Sequence, residues 1–259
     1  MPTPNDSNLP RGVHIVQDPN AGLIVSTELA DLLVSSRNSY DWPESTGASK
    51  SQQTILDLET QAGNWIAEID PAKAHALIQR VSIWGGNNVW AQTDIDLASP
   101  AIKKDMMAAI QAIRDPNTLA VGLDRLSELP GLRLIMATKV YRFYCPTVGA
   151  AVDRHASYFF NSLDVVDAHE VWRKAVAFKR EWANGAHTNS RLAIYNPRYY
   201  QRNRDEYINS YLPVVTQIAK SLNRMGVTYT CAATKQSKLW RPADVEMAAY
   251  YWWARHGLS

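Results

Sequence analysis

The hydrophobic positions of this chain fall mostly into helical runs separated by short polar breaks. Ile55, Leu58, Ala62, Trp65, Ile66 and Ile69 recur at three- and four-residue spacing across Ser51 to Ile69, which marks one apolar helix face. Ser26 stands as an N-cap before a helix running to Arg37. Pro71 fits the first turn of a helix ending at Trp84. Ser99-Pro100 opens another helix, which runs to Arg114 and is broken by Asp115-Pro116-Asn117. A helix over Val121 to Glu128 meets Pro130-Gly131, a pair that makes a tight hairpin because Pro presets φ and Gly accepts positive φ. Leu132 to Tyr144 is apolar almost all round, as a helix buried in a bundle is. Cys145 to Gly149 ends it. Asp153 then stands where an N-cap belongs, ahead of a helix with Ala156, Phe159, Phe160 and Leu163 on one face.

The remaining pattern predicts a helix from Ala168 to Trp182, a polar loop from Asn184 to Asn189, and a long helical segment from Pro197 to Met225-Gly226. Pro213 is expected to kink or split that segment. Pro242 starts a last helix, stopped by Gly257. Residues 1 to 25 read as irregular, with Val13 to Val16 packed on the body. Asn38 to Ser49 and Trp84 to Trp90 read as breaks between helices. Val227 to Tyr229 is the one stretch with local strand character, and it is short. The pattern therefore predicts an all-α protein. Residues 1–259 read as one unit of two lobes, 52–144 and 1–51 with 145–259.

Composition narrows the chemistry. The two cysteines, Cys145 and Cys231, lie far apart with no CxxC. That argues against a disulfide scaffold, a zinc site or a four-cysteine iron–sulfur cluster. A net charge of +2 is too small to announce nucleic acid by itself. The opening run MPTPNDSNLPRG has no basic segment followed by an apolar one, and no apolar run reaches a membrane span. The expectation is a soluble, monomeric, cytoplasmic chain that does not contact membrane.

The stretch Leu129 to Phe160, LPGLRLIMATKVYRFYCPTVGAAVDRHASYFF, resembles the helix-hairpin-helix plus Gly/Pro-Asp element of the DNA glycosylase superfamily that includes 8-oxoguanine glycosylase and endonuclease III. The matches are Leu129, Pro130, Gly131, Ala137, Pro146, Val152, Asp153 and His155, and the resemblance spans Val121 to Leu163. One position departs from the family: its second hairpin glycine, which lets a backbone N–H approach a DNA phosphate, is Arg133 here. Arg133 can reach a phosphate with its side chain instead. The resemblance implies a two-lobed helical fold with double-stranded DNA across its cleft. It implies phosphate contacts at Gly131, Arg133, Arg154 and His155, no required cofactor, and room for a structural monovalent or divalent cation at the hairpin.

It also implies a reaction: flipping a base out of the duplex and cleaving its N-glycosidic bond. A carboxylate beside the sugar C1′ stabilises the oxocarbenium-like charge and aligns water. The resemblance gives that role to Asp153. Bifunctional relatives carry a Schiff-base lysine where this chain has Ile135, so a monofunctional, water-using enzyme is expected. Lys139 lies one turn further along the same helix face. It reads either as a phosphate contact or as the nucleophile of a bifunctional glycosylase/lyase. Asn87 and Asn88 are candidates to plug the gap left by a flipped base. Trp84, Trp240 and Trp253 are candidate stacking surfaces, and Asp244 a base-edge reader. Lys235, Lys238 and Arg241 beside Trp240 form a basic patch suited to phosphates. The substrate is then an oxidised purine, or a modified base of invading phage DNA. Rival readings are a non-catalytic helix-hairpin-helix DNA-binding protein and an unrelated helical protein.

Overall fold

The computed structural model describes residues 9–40, 52–66, 70–85, 99–129, 131–182, 190–192 and 197–256. These are mostly helical, and the chain divides into two compact units, Met1–Tyr40 with Val152–Ser259, and Asp41–Ala151. Among the described residues no helix is long and apolar enough to cross a membrane.

The 41–151 unit holds five described helices: α1 Gln52–Ile66, α2 Pro71–Trp84, α3 Pro100–Ile113, α4 Leu119–Glu128 and α5 Leu134–Tyr144. Asp70 caps α2 by accepting from Ala72 N at 2.7 Å and Lys73 N at 3.1 Å. Every residue of α5 from Met136 to Tyr144 is buried. Arg142 is among them. Its guanidinium lies 4.5 Å from the Phe143 ring centre and pairs with Glu59 at 3.2 Å, so the charge is matched within the unit. The chain then folds back tightly. A Cβ on Gly149 would come within 2.9 Å of both Arg142 Cα and the Cys145 carbonyl, so only glycine fits there.

In the other unit, β1 His14–Asp18 pairs antiparallel with β2 Gly22–Val25, ahead of α6 Thr27–Asn38. Ser26 caps α6 through Leu29 N at 3.1 Å. After α7 Arg154–Ser162 come β3 Asp164–Val166 and β4 Trp172–Lys174. β3 runs parallel to β1 and antiparallel to β4, giving one four-stranded sheet in the order β2-β1-β3-β4. β5 Arg180–Trp182 pairs with β6 Ser190–Leu192, and β7 Tyr229–Thr230 with β8 Ser237–Lys238. α8 Pro197–Glu206, a π-helical turn over Tyr207–Tyr211, and α9 Leu212–Arg224 follow one another, and α10 Pro242–His256 closes the described chain.

The chain is thus mostly helical with small sheets, and two expectations about its elements are corrected. Residues 14–25 form a hairpin rather than an irregular lead. The helix predicted over Ala168 to Trp182 is replaced by strands and an extended segment. There Asp167 Oδ1 accepts from His169 N at 2.9 Å and Val171 N at 3.0 Å, and Glu170 takes φ 58°, so turn chemistry prevails over the apparent helical period. Beyond β4 the burial alternates: Val176 and Phe178 are buried, Ala177 and Lys179 exposed. Pro213 falls where the long segment divides, as expected: α8 gives way to the π-helical turn, and Pro213 stands in the first turn of α9. The turn before it widens, with Leu212 N–H bonding to Tyr207 C=O five residues back, and this π turn absorbs the clash of the proline ring.

Candidate active site

The hairpin between α4 and α5 forms within the 41–151 unit. Leu132 N–H donates to Leu129 C=O at 3.1 Å, and Gly131 takes φ 74° at the third position of that turn, a conformation that strongly favours glycine. Arg133 is the N-cap of α5, and its side chain makes no capping bond to the helix. Gly131 and Arg133 are both exposed. The start of α5 therefore presents backbone N–H groups uncapped by a side chain, with a guanidinium beside them, which suits an anion. Pro130, Asn87 and Asn88 lie outside the described residues.

Two side chains expected near DNA in this unit are used in its packing. Lys139 is 7 % exposed; its Nζ donates to the Gly85 carbonyl at 3.3 Å and lies 5.5 Å from the Trp84 ring centre. It satisfies the C-terminal end of α2. Trp84 is 3 % exposed and packs edge-on against Phe143 at 5.1 Å, so its ring is core and not a surface for an extruded base. Ile135 is half-buried.

Asp153 begins α7 in the other unit. Val152, fully buried, anchors the approach, and Asp153 is extended at φ −138° and ψ −167°. Its Oδ1 accepts from Ala156 N at 3.0 Å, the N-cap bond expected. No other hydrogen bond or ion pair engages the carboxylate among the described residues, so its second oxygen is uncommitted. The residue is half-buried.

Cations and aromatic rings surround this carboxylate. His155 meets the Tyr250 ring edge-on at 5.1 Å. Burial pushes the His155 imidazole below its ordinary value; Asp153 opposes the shift, and Arg154 and Arg180 add to it. The Arg154 guanidinium is exposed and 3.4 Å from His155 Nε2. Arg180 reaches the first turn of α7, donating to the Ser157 hydroxyl and to the Arg154 carbonyl at 3.5 Å. Tyr158 stacks on Trp253 at 5.4 Å and 5°. Burial raises the Tyr250 phenol, and the charges of Asp153 and Glu246 raise it further.

Arg180 is the residue that sequence reasoning missed, because its place depends on contacts distant along the chain. Asn161 brackets Phe178, accepting from its N–H and donating to its carbonyl, both at 3.0 Å. Asn203, fully buried, does the same to Lys179 at 2.7 and 2.9 Å. These two amides hold the extended segment as a neighbouring strand would and deliver Arg180 to α7.

The remaining candidates divide. Lys235 and Lys238 are exposed, with Lys238 Nζ bonded to Gln236 at 2.9 Å. Arg241 pairs with Asp244 at 2.9 Å. Asp244 is fully buried and also pairs with Arg37 at 3.0 Å. Burial alone would raise its pKa, yet the Arg241 and Arg37 guanidiniums hold it at about 2. It is therefore a structural ion joining α6 to α10, not a reader of base edges. Trp240 is 3 % exposed and packs on Tyr229, so it too is core. Trp253 is 5 % exposed and its face is taken by Tyr158, so it is packed in the core like the other two. Among the described residues no group of three or more His, Cys, Asp or Glu side chains is placed to hold a metal ion.

Comparison with known proteins yields no matching family model, no matching curated protein and no matching solved structure.

Proposed function

We propose that this chain is a DNA glycosylase of the helix-hairpin-helix kind, which flips a damaged or modified base out of duplex DNA and hydrolyses its N-glycosidic bond. The observation that carries the reading is the half-committed carboxylate of Asp153. One oxygen caps α7 through Ala156, and the other has no partner among the described residues. A fixed carboxylate with one oxygen left over can stabilise developing positive charge at C1′ and orient a water. Arg154, His155 and Arg180 stand beside it as partners for the phosphodiester of the same nucleotide. The hairpin at Gly131 and Arg133 supplies a second phosphate contact. With Ile135 in place of a lysine and the Lys139 amine committed to Gly85, water is the nucleophile and the product is a free abasic site.

The test is a panel of duplexes, each carrying one modified base, incubated with the protein and then treated with hot alkali. Strand breaks at one modified position, an oxidised purine or a bulky phage-type base, are the expected result. Duplex binding with no alkali-labile site on any member would instead favour a helix-hairpin-helix protein that binds DNA without cutting it. No duplex binding even at low salt would remove DNA as the partner.

A further inference from the structure

α10 carries two distinct faces. Glu246, Tyr250 and Trp253 lie along one side of the helix, whereas Tyr251, Trp252, Arg255 and His256 lie on the other at 100° per residue. That second side and α6 line a cavity of about 450 Å³. On α6 and its C-cap the lining positions are Leu32, Ser35, Ser36 and Ser39, an i, i+3, i+4, i+7 row. A core-facing row would carry larger apolar groups; three serines leave open space and hydroxyls instead. We infer that this cavity binds a phosphomonoester of mononucleotide size, at a site separate from Asp153.

The unused hydrogen-bonding groups define the ligand. The hydroxyls of Ser35, Ser36, Ser39 and Tyr251 make no hydrogen bond among the described residues. Ser36 is only 5 % exposed, so its hydroxyl has the cavity as its surroundings. The Arg255 guanidinium lies 5.2 Å from the Tyr251 ring centre and forms no ion pair among the described residues. Among the described residues no acidic side chain lines the space. Three carbonyls near the two helix ends are already engaged: Ser35 O by Ser39 N–H at 3.1 Å, Arg37 O by Tyr40 N–H at 3.3 Å, and Trp252 O by His256 Nδ1 at 3.0 Å. The hydroxyls can donate or accept, whereas the Arg255 guanidinium only donates and carries charge, so the complementary ligand is rich in acceptors and anionic. A guanidinium with hydroxyls beside it matches phosphate oxygens. Phosphate alone would leave most of the volume empty, since small-molecule sites start at roughly 300 Å³. Pro10, Leu32 and Trp252 give the remainder an apolar lining for a sugar or base. Such a phosphomonoester comes either as a free nucleotide or as the 5′ end of a DNA strand.

Calorimetric titration of the full chain separates these sources. The panel is inorganic phosphate, nucleoside 5′-monophosphates, the matching nucleosides, and short single strands with and without a 5′-phosphate. The variants are Arg255→Met and Ser35→Phe, both at exposed positions where folding tolerates change. The expected result is that a monophosphate binds, that its nucleoside binds at least about tenfold more weakly, and that each variant loses about tenfold or more. Binding of 5′-phosphorylated strands but not free nucleotides, lost in the same variants, would assign the source as a DNA end and support the site. Three outcomes would overturn it: no member binding at millimolar concentration, nucleoside and nucleotide binding equally, or both variants binding as the wild type does. Internal duplex binding and base excision are expected unchanged in both variants, so this site and the Asp153 reading fail or stand separately.

Discussion

The guanidinium carbon of Arg180 lies 3.4 Å from the centre of the Tyr158 ring, beside the carboxylate proposed to be catalytic. Burial alone lowers the pKa of this arginine, and Tyr158 opposes that shift by charge and by hydrogen bond. The ring therefore fixes where a positive charge is available. Tyr158→Leu should weaken duplex binding several-fold by releasing the guanidinium, the scale of a cation–π contact of about 0.5–2 kcal/mol. Arg180→Gln should weaken binding to all duplexes alike and reduce the slope of log affinity against log salt by about one. Affinities measured across a salt series decide this; an unchanged slope would place Arg180 off the DNA.

Asp153 has two separable roles, and two substitutions separate them. Asn caps helices about as well as Asp, so Asp153→Asn should melt within a degree or two of the wild type. It removes the charge, so excision should fall by roughly 10²–10³. Asp153→Ala should lose both, with a stability cost of about 1 kcal/mol. Wild-type excision by Asp153→Asn in single-turnover assays would leave Asp153 as a cap alone.

Arg133 sits exposed at the hairpin where the family pattern has glycine. Arg133→Ala should weaken binding without sequence preference and lower the salt slope by about one unit, with excision of bound substrate unchanged. Arg133→Gly should restore part of the affinity, because a glycine lets the first amides of α5 approach the phosphate. A restored affinity would show that the side chain stands in for that close approach.

How much of this was legible in the sequence depended on how local the determinants were. Ser26 and Asp153 announce helix starts through bonds to the N–H groups three positions on, and Pro71 through its fixed φ in the first turn, and the structure places helices there. The hairpin was legible for the same reason, since one glycine at φ 74° makes its turn. The four-stranded sheet was not: β1 pairs with β3 far along the chain, and three-residue strands carry too few positions to show a period of two. Arg180 was hidden likewise, because Asn161 and Asn203 hold its segment through amide contacts that no local pattern encodes. Trp84, Trp240, Trp253 and Asp244 prove buried, because residue type alone cannot distinguish a core ring or buried ion from one at a site.

Asp244 links acid sensitivity to the α6–α10 contact. Its folded pKa of about 2 lies below the ordinary 3.8, so the unfolded chain binds the proton more readily. The stabilisation, roughly 2 kcal/mol for a shift of this size, is fully present above pH ~4 and is lost as pH falls from ~4 through ~2. Asp244→Asn should abolish that component and cost about 3–5 kcal/mol at neutral pH, because it leaves the Arg37 and Arg241 guanidiniums without their shared carboxylate. Urea denaturation at pH 7 and pH 3 measures both effects. A variant as stable as the wild type at pH 7 would mean the ion pair contributes nothing.

The last prediction concerns the nucleophile. A lysine that attacks C1′ forms an imine that borohydride traps as a covalent cross-link, whereas water leaves nothing to trap. Ile135 has no nucleophile, and Lys139 is 7 % exposed with its Nζ donating a hydrogen bond to the Gly85 carbonyl. Moving that amine to a substrate would strip α2 of the bond at its C-terminal carbonyl. Incubation of protein and cleavable duplex with borohydride should therefore give no cross-linked band, with strand breaks only after alkali. Lys139→Met keeps the aliphatic stem over Trp84 but loses the bond to Gly85. It should lower the melting temperature, by about 1 kcal/mol of stability, while excision per folded molecule stays unchanged. A trapped band that disappears in Lys139→Met while duplex binding persists would identify Lys139 as the nucleophile and reduce Asp153 to support of the developing charge.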